Sequence, residues 1–452
     1  MIRSRPARLR WTELRLLVAP VVMTVVGLLA IVLAPKATAE WSWSDIWVGL
    51  AFGGVALAVS IIFSIARFTG DQLILPLATT ISAIGLLEMQ RLGPSLAVQG
   101  LATIPQRQLL YLLAGMGVML VTALGLRRRL HLLQRYRYTL LAVSLLLLAI
   151  TVVVGEETYG ARLWISVGPV QFQPSELVKI TLVIFLASYL DERREMLAQP
   201  WRFHGIPFPP IPTLIPLGVM WGSCIVILIA ANDLGASLLL FSIFLTMIYL
   251  ATNQPSYVIL GLSSFAVATF ILYQSFDRIA IRGQNWLDPW VDPLGIGYQQ
   301  IQSDYAISSG GVFGSGFAQG QPWRIPAVHT DYVFSAIGEE LGLLGTTAVV
   351  LLLLMISARG MMIALRAPDG FSSLLAGGLS TALGIQTLII LGGVTRLIPL
   401  TGITTPFLSQ GGSSLVASWM LIALLMRISD TARRPAPQPI QEEGMTQVVR
   451  GG

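Results

Sequence analysis

Charge is scarce in this sequence. Asp, Glu, Lys and Arg make up 12% of its 452 residues, whereas a soluble globular chain carries about 25%. Mean hydropathy is +0.73 and 54% of residues are hydrophobic. No soluble core of this length needs so much apolar surface, so a soluble domain is excluded. The net charge of +6 then reports topology rather than nucleic-acid binding, and no nucleic-acid partner is expected. Cysteine is nearly absent: Cys224 stands alone in an apolar run, which excludes a disulfide framework. His131, His204 and His329 lie too far apart in sequence for metal-ligand spacing. No small-residue cleavage site follows "MIRSRPARLR", so a retained first helix is expected. No internal repeat is visible, which weakens an inverted-repeat transporter.

What is abundant is long apolar runs. They occupy 15–34, 44–66, 71–90, 108–126, 137–154, 175–191, 210–230, 233–252, 256–273, 332–357, 372–396 and 405–427. The expected fold is an all-α polytopic membrane protein of about 12 transmembrane helices. The connectors "GLRRRLHLLQRYRY", "DERREMLAQPWRFHG" and "SARGMMIALRAPDG" fall on one side with both termini. The positive-inside rule makes that side cytoplasmic. Two long connectors face outward, 154–174 and the Gly-, Asp-, Pro- and Trp-rich stretch 274–331 before the tenth span. Loops of that length are usually functional.

Within this frame a few polar residues stand out. In "QFQPSELVKITLVIF", Pro174 fits a helix start, and Glu176 and Lys179 share a helix face three residues apart. They read equally as a neutralised pair or as a lysine placed for an anionic substrate. Trp164 reads first as an interfacial anchor, with Arg162 beside it able to clamp a phosphate. Asp233 reads as a helix cap. Asp288-Pro289 and Asp292-Pro293 read as turns. Arg278, Arg282, Arg324 and Arg396 lie outside, where the charge rule does not favour them. They are candidates for an anionic group.

Three carboxylates sit in "HTDYVFSAIGEELG": Asp331, Glu339 and Glu340. Helix geometry sets Glu339 about 12 Å below Asp331 and about 80° around, with Glu340 nearly opposite. Asp331 and Glu339 are therefore expected to border one cavity, and Glu340 to pair with a neighbouring helix. Asp331 also reads as a cap, and these physical considerations leave both readings open. The small residues of "SQGGSS" suit close helix packing.

Taken in order, "GARLWISVGPVQFQPSELVKI", "NDLGASLL", "WLDPWVDPLGIGYQQIQS", "SSGGVFGSGF", "HTDYVFSAIGEELGLLG" and "PFLSQGGSSL" resemble the SEDS family of bacterial cell-wall synthases (RodA, FtsW and SpoVE), most nearly its long RodA-like members. The resemblance divides the chain into an N-terminal membrane segment with two extra helices (1–136), a core membrane domain (137–430) and a disordered cytoplasmic tail (431–452). It implies a multi-pass protein of the bacterial cytoplasmic membrane. The implied activity is a peptidoglycan glycosyltransferase polymerising lipid II in elongation or division. A class B penicillin-binding protein is the implied partner.

The resemblance puts the essential carboxylate on Asp331. Substrate contacts fall on Arg162, Trp164, Glu176 and Lys179, to which the residue reading adds Arg278, Arg282, Glu339 and Arg396. A divalent cation, Mg or Mn, would suit the diphosphate, though no protein metal site is expected. Three departures stand out: Ala231-Asn232 before "DLG", Gln410 where Tyr is usual, and Thr401 where division-type members often carry Lys. The last favours the elongation branch. Two other classes fit the spans and the buried charge: a flippase for lipid-linked precursors, and an inert scaffold for a transpeptidase.

Overall fold

A computed structural model describes residues 9–33, 46–97, 100–127, 129–158, 161–167, 170–198, 201–203, 206–208 and 211–433. Two helices come first, α1 (Trp11–Leu33) and α2 (Trp47–Ile65). Then follow α3 (Ile74–Ser95), α4 (Ile104–Gly125), the short α5 (His131–Arg135) and α6 (Arg137–Val154). An antiparallel sheet of β1 (Glu156–Thr158), β2 (Ala161–Val167) and β3 (Val170–Phe172) leads into α7 (Pro174–Glu192). The short α8 (Arg194–Ala198) and a hairpin, β4 (Trp201–Phe203) with β5 (Ile206–Phe208), reach α9 (Ile211–Ala230), α10 (Leu234–Thr252) and α11 (Pro255–Ser275). Two helices, α12 (Asp277–Leu287) and α13 (Tyr298–Gly310), fill the long connector. The chain closes with α14 (Val333–Leu365), α15 (Gly370–Val394) and α16 (Gly412–Ala432).

Among the described residues nine helices are long and apolar enough to cross a membrane. Three further runs expected to span fall outside that set for identifiable reasons. Inside the bundle α3 buries Glu88 and Arg91, and α7 buries Glu176 and Lys179, which lowers their hydropathy. The described apolar part of α9 is Trp221–Ala230. The polytopic helical fold stands, with small sheets added where the connectors 154–174 and 201–208 meet their own backbone. Strand pairing there satisfies amides that no helix supplies.

Burial separates the spans. In α16 78% of the apolar window is buried and in α11 only 6%, so α16 is central and α11 presents most of its surface to lipid. Trp419 of α16 is fully buried. It fits because Gly115 of α4 lacks a side chain, whose Cβ would lie 2.5 Å from the Trp419 ring. Phe407 meets the same indole edge-on at 5.5 Å. Small residues that admit a large neighbour are how helices pack closely without a hydrophobic drive from water.

At one end α1 is tied by Arg10. Its guanidinium pairs with Glu13 and donates to the carbonyls of Phe68 and Asp71 at 2.8 and 2.9 Å. At the other end Leu28 and Ile31 pack with Leu87, Ala318 and Phe317. The span after Asp331 is broken at Gly342 (φ +67°). There the loop after α13 inserts, and the amides of Leu343 and Leu344 turn to the carbonyls of Gly311 and Val312 at 2.9 and 3.2 Å. Breaks of this kind need an alternative partner for each freed amide, and the loop provides it.

Candidate active site

Asp331 lies two residues before α14, at the end of the bundle that the charge distribution assigns to the outside. Its backbone is built from a tight turn. Ala327 adopts φ +52°, and its carbonyl accepts from both Thr330 and Asp331 amides. The segment after Thr401 clamps this turn from the other side. Ser409 Oγ donates to the Thr330 carbonyl at 2.5 Å, and the Gln410 amide donates to the His329 carbonyl at 2.9 Å. Gln410 therefore acts through its backbone, which explains why the departure from Tyr leaves the "HTD" geometry in place. That task of the "SQGGSS" segment was missed in the sequence, where packing alone was expected, because a backbone contact leaves no residue-type signal.

Gly402 (φ +71°) passes close to the carboxylate. A Cβ there would sit 3.7 Å from Asp331 Oδ2. Burial pushes the Asp331 carboxyl up to about 6, against the Thr330 hydroxyl and the Arg282 guanidinium, which favour the charged form. At neutral pH it is thus ionised yet more basic than an ordinary aspartate. His329, two residues earlier, is kept neutral by burial, which lowers its pKa.

Thr401–Thr405 is the hub of the site. A Cβ at Gly235, in "NDLG", would overlap the Thr401 carbonyl, so the start of α10 abuts this segment directly. Thr404 accepts from Gln386 Nε2 at 2.8 Å and bonds Ser414 at 2.7 Å. Gln386 in turn accepts from Lys179 Nζ at 2.9 Å, and Lys179 pairs with Glu176 at 2.7 Å. Lys179 and Glu176 are 4% and 6% exposed. In the structure they form a neutralised pair that joins α7, α15 and the hub, the first of the two readings the sequence left open.

Asp233 caps α10, accepting from the Ala236 amide at 2.9 Å, with Ser175 of α7 beside its buried carboxylate. Glu176 and Arg282 are both within its electrostatic reach. Arg282, exposed on α12, therefore acts on both Asp331 and Asp233.

Arg396, Arg162 and Trp164 have contacts of their own. Arg396 (φ +61°) bonds Asp304 Oδ2 and the Trp286 and Leu287 carbonyls at 3.2–3.3 Å, and its own carbonyl accepts from the Trp286 indole. It ties α12 and α13 to the end of α15. Arg162 bonds the Val152 and Ala231 regions, anchoring β2 to α6 and to the turn before α10. Trp164, partly buried, lies opposite Glu156 in the sheet. The side chain of Arg278 lies outside the described residues. Asp288 and Asp292 cap their own turns, accepting from Trp290, Gly295 and Ile296 amides at 3.0 Å.

Glu339 and Glu340 share a different task. Glu339 Oε1 accepts from the Gln321 amide at 2.7 Å and Glu340 Oε2 from the Ala318 amide at 2.8 Å. They strap loop 315–321 to the start of α14. Glu340 also pairs with Arg91 of α3 at 3.4 Å, the neighbouring-helix partner expected of it. Glu339 faces that strap because its carboxylate is taken by a loop that a helical wheel does not contain.

Among the described residues no three His, Cys, Asp or Glu groups form a metal-binding cluster. A divalent cation would therefore rest on one or two carboxylates and on phosphate oxygens of a ligand, which is how Mg²⁺ is commonly held.

Comparison with known proteins gives one consistent answer. A family model for FtsW, RodA and SpoVE, described as cell cycle protein, matches residues 71–434, beginning after α1 and α2. The peptidoglycan glycosyltransferase RodA of Mycobacterium tuberculosis is 39% identical over 436 residues, 94% of this chain and 92% of that one. Among solved structures, a chain from a study of the structural coordination of polymerization and crosslinking by a peptidoglycan synthase complex has TM-score 0.64 at 29% identity. It covers 81% of this chain and 99% of its own. The rod shape determining protein RodA of Thermus thermophilus has TM-score 0.57 at 26% identity, covering 82% and 100%.

Proposed function

This chain belongs to the FtsW/RodA/SpoVE family, and from that premise we propose that it is a peptidoglycan glycosyltransferase that polymerises lipid II at the extracytoplasmic face of the membrane. The observation that carries the site assignment is Asp331: partly buried, raised to about 6, and faced by Arg282 at the mouth of the bundle. In the reaction the 4-hydroxyl of an acceptor GlcNAc attacks the anomeric carbon of a donor MurNAc. The bond from that carbon to the diphosphate breaks, and the polyprenyl diphosphate leaves.

Asp331 takes the hydroxyl proton. A base whose pKa lies near the working pH is the efficient choice for this transfer. Arg282, exposed and within electrostatic reach of the carboxylate, offers its guanidinium to the charge that grows on the diphosphate. A bound Mg²⁺ or Mn²⁺ would supply the same stabilisation as a Lewis acid, resting mainly on the phosphate oxygens. The bare Cα of Gly402 leaves the carboxylate open to the acceptor. Lys179, Glu176 and Gln386 act beneath, keeping the hub segment in place.

Similarity to a chain from a peptidoglycan synthase complex supports a transpeptidase partner of the class B penicillin-binding type. Similarity to RodA over 94% of the chain supports the elongation branch. Purified chain with its transpeptidase and lipid II is expected to make glycan polymer. Translocation of lipid II across liposomes with no polymer would replace this reading with a flippase.

A further inference from the structure

We propose that the end of the bundle opposite Asp331 carries a binding site for a phosphate-bearing anion, in a cavity between the ends of α14 and α16 and the turn joining α2 to α3. The cavity, about 60 Å³, is lined by Asp71, Arg359, Met362, Arg366 and Arg433 among others. Three arginines thus face one carboxylate. Asp71 is already engaged at both oxygens: Oδ1 accepts from the Leu73 amide at 2.8 Å, and Oδ2 takes both Arg359 and Arg433.

The carboxylates behind the cavity are also committed. Glu13 pairs with Arg10, and Asp430 pairs with Arg427 while accepting from the Thr69 amide and hydroxyl. Counting one arginine per carboxylate leaves Arg366 and Arg433 in excess, two positive charges. Arg433 leans on the Thr69 and Gly70 carbonyls at 3.3 Å. The guanidinium of Arg366, exposed at the end of α14, makes no hydrogen bond or ion pair among the described residues, and Arg359 Nε is buried without an acceptor.

Arginines converging in this way match the oxygens of a phosphate, which accepts several charge-assisted hydrogen bonds at once. Met362 and Ile363 give the cavity an apolar side. Basic recesses between helix ends at the inner leaflet suit anionic lipid headgroups, and the positive-inside rule puts this end at that leaflet. The shared chemistry is a phosphate oxygen cluster, from a lipid phosphodiester or from a free phosphate.

The test uses the full chain, delipidated in detergent, with retained ligand read by native mass spectrometry and stability read by thermal unfolding. Phosphatidylglycerol, phosphatidylcholine and inorganic phosphate are added in separate arms. Phosphatidylglycerol is expected to be retained and to raise the unfolding midpoint, with phosphatidylcholine doing neither. An equal rise with inorganic phosphate alone would keep the site and assign it to the free anion. Arg366→Gln should weaken binding about tenfold, the worth of one charge-assisted hydrogen bond, and Arg366→Gln with Arg433→Gln further. Because the Arg366 side chain has no partner among the described residues, its loss should leave the ligand-free midpoint unchanged. A control pair, Arg135→Gln with Arg194→Gln, removes the same charge from connectors assigned to the same side. Equal loss in the control pair, or no preference for phosphatidylglycerol in the wild type, would overturn the proposal.

Discussion

If Asp331 is the base, the pH dependence of polymerisation follows from its surroundings. With the carboxyl at about 6, the ionised fraction is roughly 0.9 at pH 7 and roughly 0.1 at pH 5. The rate should therefore fall about tenfold between those values, with unit slope below. An aspartate at its ordinary value of about 3.9 would lose less than about a tenth over the same interval. The diphosphate of lipid II is esterified at both ends and does not titrate near pH 6, so the substrate does not mimic this profile.

Arg282 provides a second lever, since its charge favours the ionised carboxylate. Arg282→Gln should move the midpoint upward, so that the variant loses more activity at pH 6 than at pH 8. The assay is the initial rate of glycan formation at low lipid II, from about pH 4.5 to about pH 8, so that kcat/KM reports groups of the free enzyme. A flat profile across pH 5 to 8, or a downward shift in the Arg282 variant, would refute the reasoning.

Other outcomes follow from the same structure. Burial raises the folded-state pKa of Asp331 above its unfolded value, so the folded chain binds the proton more readily and this group's contribution to stability declines as pH rises from about 4 to about 6. Asp331→Asn should accordingly be inactive yet melt no lower than wild type at pH 7. Lys179→Met leaves Glu176 buried without its cation and should cost about 3–5 kcal/mol in unfolding. Adding Glu176→Gln should recover most of that loss in a double-mutant cycle. At Gly342, a Cβ would meet the Gly314 amide and the Val312 carbonyl at a φ that disfavours side chains, so Gly342→Ala should lower the melting temperature and expose loop 311–314 to faster hydrogen exchange.

Much of this was legible in the residues. Apolar runs and basic connectors outlined the spans, the Asp-Pro pairs behaved as turns, and Glu340 found its partner on a neighbouring helix. Asp331 stood out only because several motifs occurred together in family order; its own physics fitted a cap equally well. Less legible was whatever depends on backbone. Ser409 and Gln410 hold the Asp331 turn through main-chain carbonyls, and the Thr404 carbonyl receives Gln386 of α15 in the same way. Glu339 turned to a loop folded back on α14, a contact separated by 18 residues that helical periodicity does not encode. The helices α12 and α13 were hidden in a stretch whose Gly, Pro and Asp content reads as turn. Hydropathy blurred α3 and α7 because each carries buried charge that only its neighbours neutralise.

The central claim is that Asp331 performs the proton transfer of glycan synthesis, and the most direct measurement is polymer formation from lipid II by purified Asp331→Ala with its transpeptidase, beside wild type. Loss of a general base should lower the rate by about 10²–10⁴-fold while lipid II binding and the melting temperature persist. Polymer made by the alanine variant at the wild-type rate would contradict it.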